Sequence, residues 1–337
     1  MLRSTLRSNI FATKLKYLVN SNRWYTSSSC HYGMCIDIDG VLIKGNNVVP
    51  EAKRALQFLN GDNLLNKKIP FILLTNGGGE TEESKAEKMS EKLDFLIKPS
   101  QIVLSHSPME KLVPKYRDSE ILVIGGKRDE CRIAAENYGF KRVVIPNDIL
   151  VWNPSIWPFS NFREEDLKWA RIALDVLRSK DGYIGTIASQ RDLLNHQIPL
   201  FFSNPDIMWS TEFPNPRFAQ GSFRIALECL FEKYTGLKLK SEWFGKPETV
   251  TYEYAHMMLE NYAYELTGDS LPNRKIYAVG DNPASDIAGA NRHGWHSILV
   301  KTGVFQGEGN DLKDPADHVT DNVLGAVKWM FANEEGH

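Results

Sequence analysis

Two aspartates two positions apart follow a short apolar run near the start of the chain. Residues 36–42 read Ile-Asp-Ile-Asp-Gly-Val-Leu, so one residue separates Asp37 from Asp39, and Gly40 follows Asp39. Alternate side chains of an extended segment point to the same side, so both carboxylates can converge on one ligand. Two such charges about 4 Å apart repel by about 4 kcal/mol at an effective dielectric near 20, so the pair needs a cation. Mg²⁺ suits this pair, although the segment alone also fits a turn with two solvated aspartates.

A second apolar run ends in residues that suit an anion. Residues 71–74 are Phe-Ile-Leu-Leu, and Thr75, Asn76 and three glycines at 77–79 follow them. Four large apolar residues fit a strand that is buried on both faces. The Thr75 hydroxyl, the Asn76 backbone amide and the amides of the glycines can then bind an anion. A glycine-rich turn without a ligand fits the same residues.

A lysine precedes a predicted helix in the second half of the chain. Pro247 suits the first helical turn, which places Lys246 beside the positive end of the helix dipole, where it can hold an anion. Most surface lysines bind nothing, so this segment depends on the others. The helix is predicted to have one apolar face, formed by Val250, Tyr254, Met257 and Met258.

An acidic segment follows a later apolar run. Residues 276–280 end in Gly280, Asp281 comes next, and a helix is predicted to start near Pro283. Asp281 then lies at the end of a strand and Asp286 in the first helical turn. Asp286 also fits a plain favourable charge at a helix start.

In this order the four segments resemble the haloacid dehalogenase (HAD) superfamily, whose motifs are D-x-D, a strand-ending Thr or Ser, a Lys, and an acidic G-D-x(3,4)-D. The finer patterns D-G-V-L, T-N-G-G-G, G-K-P and G-D-N-P-A-S-D resemble subfamily IIA, the nitrophenylphosphatase-like and NagD-like hydrolases. Within that group the likeness is greatest to the eukaryotic cat eye syndrome critical region five proteins, a mitochondrial hydrolase-like set. The resemblance covers the chain from about Met34 onward. It implies an α/β fold, a HAD-type Rossmann-like doubly wound parallel sheet with an inserted α/β type-two cap domain.

The domain boundaries follow from the position of this insertion. Residues 31–109 and 241–337 are expected to form the two parts of the core, and residues 110–240 the cap. Within the cap, Ser222 is predicted to cap a helix. That helix should turn four apolar side chains inward, those of Phe223, Leu227, Leu230 and Phe231. Prolines and tryptophans at 146–165 make this cap more irregular than the small caps of the subclass.

The resemblance also implies a mechanism. Asp37 would attack phosphorus and become a phospho-aspartate, while Asp39 would act as general acid and then general base. Mg²⁺ would be held by the Asp37 carboxylate, the Asp39 backbone carbonyl and Asp281, with Asp286 nearby. The residues expected to bind the substrate are Thr75, Asn76, Gly77, Lys246 and, in the N-P-D loop of the cap, Asp206. The implied function is a Mg²⁺-dependent phosphatase acting on a small phosphorylated metabolite, and the cap offers a surface for a homodimer.

Charge is uneven along the chain. The first 36 residues contain five Lys and Arg and no acid, with frequent Ser and Thr, which is typical of a mitochondrial transit peptide. We therefore expect residues 1–30 to direct the protein to mitochondria, most simply the matrix, although a disordered basic arm has the same composition. The other 35 Lys and Arg face 42 Asp and Glu, a net charge of −7. Such an acidic remainder argues against nucleic acid as a partner.

The remaining composition excludes some classes of protein. No stretch approaches the roughly 20 apolar residues of a membrane-spanning helix, so no transmembrane segment is predicted. The four cysteines, at 30, 35, 131 and 229, show neither C-x-x-C spacing nor a disulfide framework, so a reduced compartment is expected.

Three alternatives to a phosphatase stay open. A receiver-type signalling domain also combines acids, Thr and Lys, but it fits in about 100–150 residues and needs neither the insertion nor the D-x-D spacing. A non-catalytic protein could keep the fold and metal site and only bind a phosphorylated ligand. A phosphomutase would use the same motifs.

Overall fold

The computed structural model describes residues 30–156, 165–213, 215–268 and 274–336. Residues 1–29 of the segment predicted to be a transit peptide, and residues 157–164 of the stretch rich in proline and tryptophan, therefore lie outside the described residues. The strands, in chain order, are β1 (Tyr32–Ile36), β2 (Ile43–Lys44), β3 (Asn47–Val48), β4 (Phe71–Leu74), β5 (Ile102–Val103), β6 (Glu120–Leu122), β7 (Arg142–Val144), β8 (Phe201–Phe202), β9 (Met208–Trp209), β10 (Arg217–Phe218), β11 (Glu242–Trp243), β12 (Lys275–Gly280), β13 (His296–Val300) and β14 (His318–Thr320).

Helices separate most of these strands. In chain order they are α1 (Ala52–Leu59), α2 (Glu82–Leu93), α3 (Val113–Tyr116), α4 (Glu130–Tyr138), α5 (Pro146–Trp152), α6 (Glu165–Leu177), α7 (Gln190–Asn195), α8 (Gln220–Thr235), α9 (Thr249–Thr267), α10 (Ala288–Arg292) and α11 (Val323–Glu335). A π-helical turn, Pro283–Ile287, precedes α10. None of the described helices combines the length and apolar character that crossing a bilayer requires.

The core is a parallel six-stranded sheet in the order β14-β13-β12-β1-β4-β5. Every residue of β1 and β4 is buried, as expected for central strands that are covered on both faces. Side chains of β1 alternate between the faces: Met34 and Ile36 pack with α1 and α11, and Cys35 packs with α9. The predicted α/β doubly wound sheet is confirmed.

The strand order also explains where a site can form. Strand β1 lies between β4 and β12. The chain after β1 therefore adds β4 on one side of β1, and it later adds β12 on the other side. Open parallel sheets bind ligands at such a switch point, beyond the carboxyl ends of the strands. The three segments that follow β1, β4 and β12 are the ones in which the sequence predicted chemistry.

The described residues between β5 and α9 add no strand to this sheet. They form two parallel pairs, β6–β7 and β8–β11, and an antiparallel hairpin, β9–β10. Helix α8 packs on α6 through a cluster that includes Leu227 and Phe231. This part of the chain has the βα character expected of an inserted cap.

Two details of the predicted cap helix are wrong. Helix α8 begins at Gln220 after Ala219, so Ser222 lies inside it and does not cap it. The Ser222 hydroxyl donates instead to the carbonyl of Ile207, 2.9 Å away, which ties the helix to the β9–β10 hairpin. Leu230 is exposed, because the inward face of the helix is set by Leu227 and Phe231.

The predicted apolar face of α9 is also wrong in part. Tyr254 is buried, but Met257 is 46% exposed. The face that packs on the sheet contains Ala255 and Leu259 together with Tyr252. The helix carries apolar residues on all sides, so the spacing of these residues in the sequence does not identify the buried face.

Candidate active site

Three of the predicted residues stand at neighbouring strand ends. Asp37 follows β1, Thr75 follows β4 and Asp281 follows β12. Because these strands are parallel and adjacent, their carboxyl ends meet at one edge of the sheet. All three side chains are buried there.

A buried ammonium group lies between two carboxylates at this edge. Lys246 Nζ is 2.7 Å from Asp37 Oδ1 and 2.6 Å from Asp286 Oδ1. It also donates to the carbonyl oxygen of Leu74 at 3.0 Å. Two hydrogen bonds, to Leu74 and Asp286, and the ion pair with Asp37 together hold the lysine in the centre of the site.

The acids outnumber this single positive charge. One carboxylate oxygen of each of Asp37, Asp281 and Asp286 lies within 4.8 Å of the others. Burial, and then the neighbouring carboxylates, raise the pKa of Asp37 well above its usual range against the pull of Lys246. Burial and the charge of Asp286 likewise raise the pKa of Asp281 to about 7. The cluster thus carries excess negative charge that a divalent cation would neutralise.

Lys246 nevertheless stays protonated. Burial alone would lower its pKa, but the charges of Asp286 and Asp37 raise it well above the usual value. Removing the lysine would leave two buried acids without their counter-charge.

Glycines make room for Asp281. A Cβ atom at Gly40 would stand 2.2 Å from Asp281 Oδ2, and one at Gly303 only 1.8 Å from it. Gly40 also has φ +86, a conformation that other residues rarely adopt. The same carboxylate accepts a hydrogen bond from the amide of Val304. Gly40 in the D-x-D-G segment is therefore part of the acidic site.

Thr75 positions the second aspartate. Its hydroxyl donates to Asp39 Oδ2 at 3.1 Å and accepts from the amide of Gly77 at 2.9 Å. Asp39 is only half-buried, so it stands nearer to solvent than Asp37. The Gly77 amide, which the sequence predicted to bind substrate, is thus already bonded to Thr75.

Asn76 joins the lysine segment to the predicted cap. Its side-chain oxygen accepts from the Lys246 amide at 2.7 Å, and its side-chain nitrogen donates to the Lys246 carbonyl at 2.9 Å. The same nitrogen donates to Asp206 Oδ2 at 2.9 Å. Asn204 donates to the Asn76 carbonyl at 2.8 Å. The N-P-D loop therefore reaches the site through Asn76.

The predicted position of Pro247 is wrong. Helix α9 begins at Thr249, so Pro247 precedes the helix and does not lie in its first turn. Lys246 is positioned by Asn76 and the acids instead of by the end of a helix.

The sequence also missed the loop after β13. Thr302 donates to the carbonyl of Gly40, and Val304 binds Asp281. The signal was present, because Thr302 and Gly303 follow an apolar strand in the same way as Thr75 and the glycines follow β4.

The acids open into a cavity of about 1120 Å³. Its wall contains every predicted site residue: Asp37, Asp39, Thr75, Asn76, Gly77, Asp206, Lys246, Asp281 and Asp286. The structure thus brings together all the side chains for which the sequence predicted chemistry.

Comparisons with known proteins agree with this geometry. A family model described as haloacid dehalogenase-like hydrolase matches residues 34–141, and a HAD-hydrolase-like model matches residues 243–326. A mitochondrial hydrolase of Saccharomyces cerevisiae is 36% identical over 337 residues, covering 87% of this chain and 93% of the relative. The chain belongs to the HAD-like hydrolases, in subfamily IIA, and is an enzyme of that class.

Two further proteins help to define the family. A cardiolipin synthase (CMP-forming)/mitochondrial hydrolase fusion protein of Schizosaccharomyces pombe is 40% identical over 321 residues. The match covers 88% of this chain but spans only 52% of that relative's length. A glycerol phosphate phosphatase of Mycobacterium tuberculosis, solved with magnesium, has a TM-score of 0.57 at 19% identity, covering 89% of this chain and 76% of that structure. This structural likeness shows the fold.

Proposed function

We propose that the protein is a mitochondrial, Mg²⁺-dependent phosphomonoesterase that works through a phospho-aspartate on Asp37. The observation that carries this proposal is the placement of Asp37, which is buried against Lys246 while Asp39 stands beside it nearer to solvent. One carboxylate is thereby held for attack and the other for proton transfer. The names of its relatives as phosphatases and hydrolases support the same reaction.

The roles of the chain's own residues follow from their contacts. Asp37 attacks phosphorus, and Asp39 donates a proton to the leaving oxygen and later takes one from water. Thr75 keeps Asp39 in place through its hydroxyl. Lys246 supplies fixed positive charge where negative charge spreads over the phosphoryl oxygens. Asn76 fixes the backbone of Lys246 and so the position of that charge.

The donor set fits a magnesium ion. Three buried carboxylates against one ammonium group, with two raised pKa values, form a site of hard oxygen ligands that lacks positive charge. Asp37, Asp281 and Asp286 would hold the ion, which would neutralise charge on the phosphoryl group.

Magnesium should therefore stabilise the protein and be required for turnover. We expect a rise in melting temperature with Mg²⁺ and loss of phosphatase activity in excess chelator. Asp281→Asn should abolish both effects, because it removes a ligand whose charge the ion balances. The exposed Asp62→Asn variant is the matched control and should behave as wild type. A melting temperature indifferent to Mg²⁺, with full activity in chelator, would contradict the proposal.

The same acids predict a pH dependence of the metal-free protein. The pKa of Asp281 rises on folding from 3.8 to about 7, so the folded state holds this proton more tightly than the unfolded state. The free energy of unfolding should then fall as the pH rises from about 4 to about 7. Urea titrations in chelator at several pH values should show this slope for wild type and a smaller one for Asp281→Asn. Equal slopes would count against the assignment.

We further propose that residues 110–240 act as the cap and that Asp206 couples it to the phosphoryl site. Burial raises the pKa of Asp206 to about 6, and its carboxylate accepts from Asn76. Asp206→Ala should change the ranking of phosphoester substrates, with kcat/KM altered about tenfold, because one buried hydrogen bond is lost.

The melting temperature separates this role from that of a turn residue. A coupling role predicts a nearly unchanged melting temperature for Asp206→Ala. The exposed cap variant Asp129→Ala is the control, and it should change neither the substrate ranking nor the melting temperature. Lower stability with an unchanged ranking would show that Asp206 only builds the loop.

Localisation is proposed from the N-terminus and from two relatives that are named as mitochondrial hydrolases. Residues 1–35 fused to a fluorescent reporter should enter mitochondria, because the segment joins positive charge to apolar and hydroxyl residues without an acid. A fusion with the segment's Lys and Arg changed to Gln should stay in the cytosol. Cytosolic retention of the unchanged fusion would contradict the proposal.

A further inference from the structure

The cavity that contains the acids is larger than a small polar substrate needs. Its volume of about 1120 Å³ lies above the roughly 300–1,000 Å³ typical of pockets for drug-sized ligands. The acids, Thr75, Asn76 and Lys246 line one part of it. Most of the remaining wall comes from the segments between β5 and α9, so a phosphoryl group at the acids leaves much of the space to the leaving group.

This second part of the wall joins two apolar clusters. Ala135, Phe140 and Val123 belong to the cluster around α4 and β7. Leu177, Ile198 and Leu200 belong to the cluster around α6 and α8. The two clusters are separate, and side chains of both line the same space. This apolar part of the wall favours apolar groups of a ligand over water or sugar hydroxyls.

The segment that begins in β6 and continues to residue 124 supports the same conclusion. Residues 121–124 read Ile-Leu-Val-Ile, and all four are only half-buried although they lie inside the predicted cap. Each of them lines the cavity. A ligand chain that covers these side chains would remove more apolar surface from water, which is favourable in proportion to the area covered.

The cavity has an apolar rim. Trp209 lines the cavity and is 40% exposed, so it stands where the cavity meets solvent. Met208, the residue before it, also lines the cavity and pairs with Phe218, which is 77% exposed. Aromatic side chains with this exposure suit contact with the end of an apolar ligand.

We propose that the leaving group of the substrate carries a single long apolar chain, so that the enzyme hydrolyses an amphiphilic, lipid-like phosphomonoester. This inference rests on the proposed phosphatase activity. The phosphoryl group would lie at Asp37 and Lys246, and the chain in the apolar part of the cavity. The reaction is ordinary hydrolysis: water enters, the bond between phosphorus and the ester oxygen breaks, and a long-chain alcohol and inorganic phosphate leave.

Binding of alkylphosphonates tests the inference without turnover. A series from methyl- to decylphosphonate, each kept below its micelle-forming concentration, is titrated into the wild-type protein with Mg²⁺ by calorimetry. Each added methylene buried in the cavity should tighten Kd by about fourfold. Affinity that does not rise with chain length would overturn the inference.

Two variants test whether the chain occupies this cavity. Ala135→Phe and Ala173→Phe place a ring into the wall from opposite clusters and should each flatten the dependence of affinity on chain length. Ala188→Phe changes a cap residue that does not line the cavity and should leave the dependence intact. Because either Phe variant could fail to fold, binding of methylphosphonate reports whether the phosphoryl site is intact. Dependence unchanged in both folded variants would contradict the proposed location.

Hydrolysis of p-nitrophenyl phosphate is measured in parallel. If the wild-type protein does not hydrolyse it but binds alkylphosphonates more tightly as the chain grows, the proposed phosphatase activity is refuted and the proposed class of ligand is supported. Hydrolysis without chain-dependent binding would refute the ligand class and leave the phosphatase standing.

Discussion

Asp37→Asn should remove phosphatase activity, lowering kcat by about 10⁴-fold or more. An amide cannot form the bond to phosphorus, and loss of a covalent nucleophile costs other enzymes about 10⁶-fold in kcat. The variant should still fold, because Asp286 remains 2.6 Å from Lys246 Nζ and keeps the lysine paired. Steady-state hydrolysis of p-nitrophenyl phosphate with Mg²⁺ measures the effect.

The same substitution at an aspartate outside the site is the control for the assay. Asp62→Asn removes an exposed carboxylate outside the site and should keep wild-type kcat and melting temperature. Turnover by Asp37→Asn within tenfold of wild type would exclude Asp37 as the nucleophile.

Lys246→Met should cause the largest loss of stability together with a loss of activity. The lysine has 4% of its side chain exposed and makes its ion pairs with two buried acids, so its removal leaves their charges unpaired. Breaking a buried pair in this way costs about 3–5 kcal/mol. Urea denaturation measures the loss, with the exposed Lys238→Met as the matched control.

A double variant separates stability from catalysis. Lys246→Met with Asp286→Asn removes one of the two unpaired charges and should recover part of the lost stability. Activity should stay absent, because the positive charge that faces the phosphoryl group is still missing. A single Lys246→Met variant of wild-type stability would show that the ion pairs contribute nothing to the fold.

The residues at strand ends could be predicted from the sequence because the signal is local. Asp37, Thr75 and Asp281 each follow an apolar run whose burial is set by the sheet itself. Once parallel strands are inferred, their carboxyl ends must meet, so the three side chains converge without further information. The four-motif resemblance then added Lys246 and Asp286.

Contacts between distant segments could not be predicted in this way. Asn76 and Asp206 are 130 positions apart, and nothing local indicates that the loop carboxylate binds that amide. The Gly77 amide looked free because the sequence does not show that Thr75 turns its hydroxyl toward it. The shared cavity likewise depends on how two apolar clusters pack, which periodicity does not reveal.

The prediction of the buried face of a helix was wrong where the helix has apolar residues on more than one side. Helix α9 carries Met257 on the exposed side and Leu259 on the buried side, and both fit a core position equally well in the sequence. The predicted cap at Ser222 was wrong for another reason. The Ser222 hydroxyl donates to the Ile207 carbonyl, and Ala219 is the residue that precedes the helix. Tertiary contacts overrode a correct local preference.

Rapid acid quench of the wild-type enzyme during turnover, followed by peptide mass spectrometry, tests the proposed mechanism most directly. A phosphoryl group on Asp37 itself is the expected result, and it should be absent in Asp37→Asn. Hydrolysis that proceeds with no phosphorylated peptide, or with the group on another residue, would contradict the account.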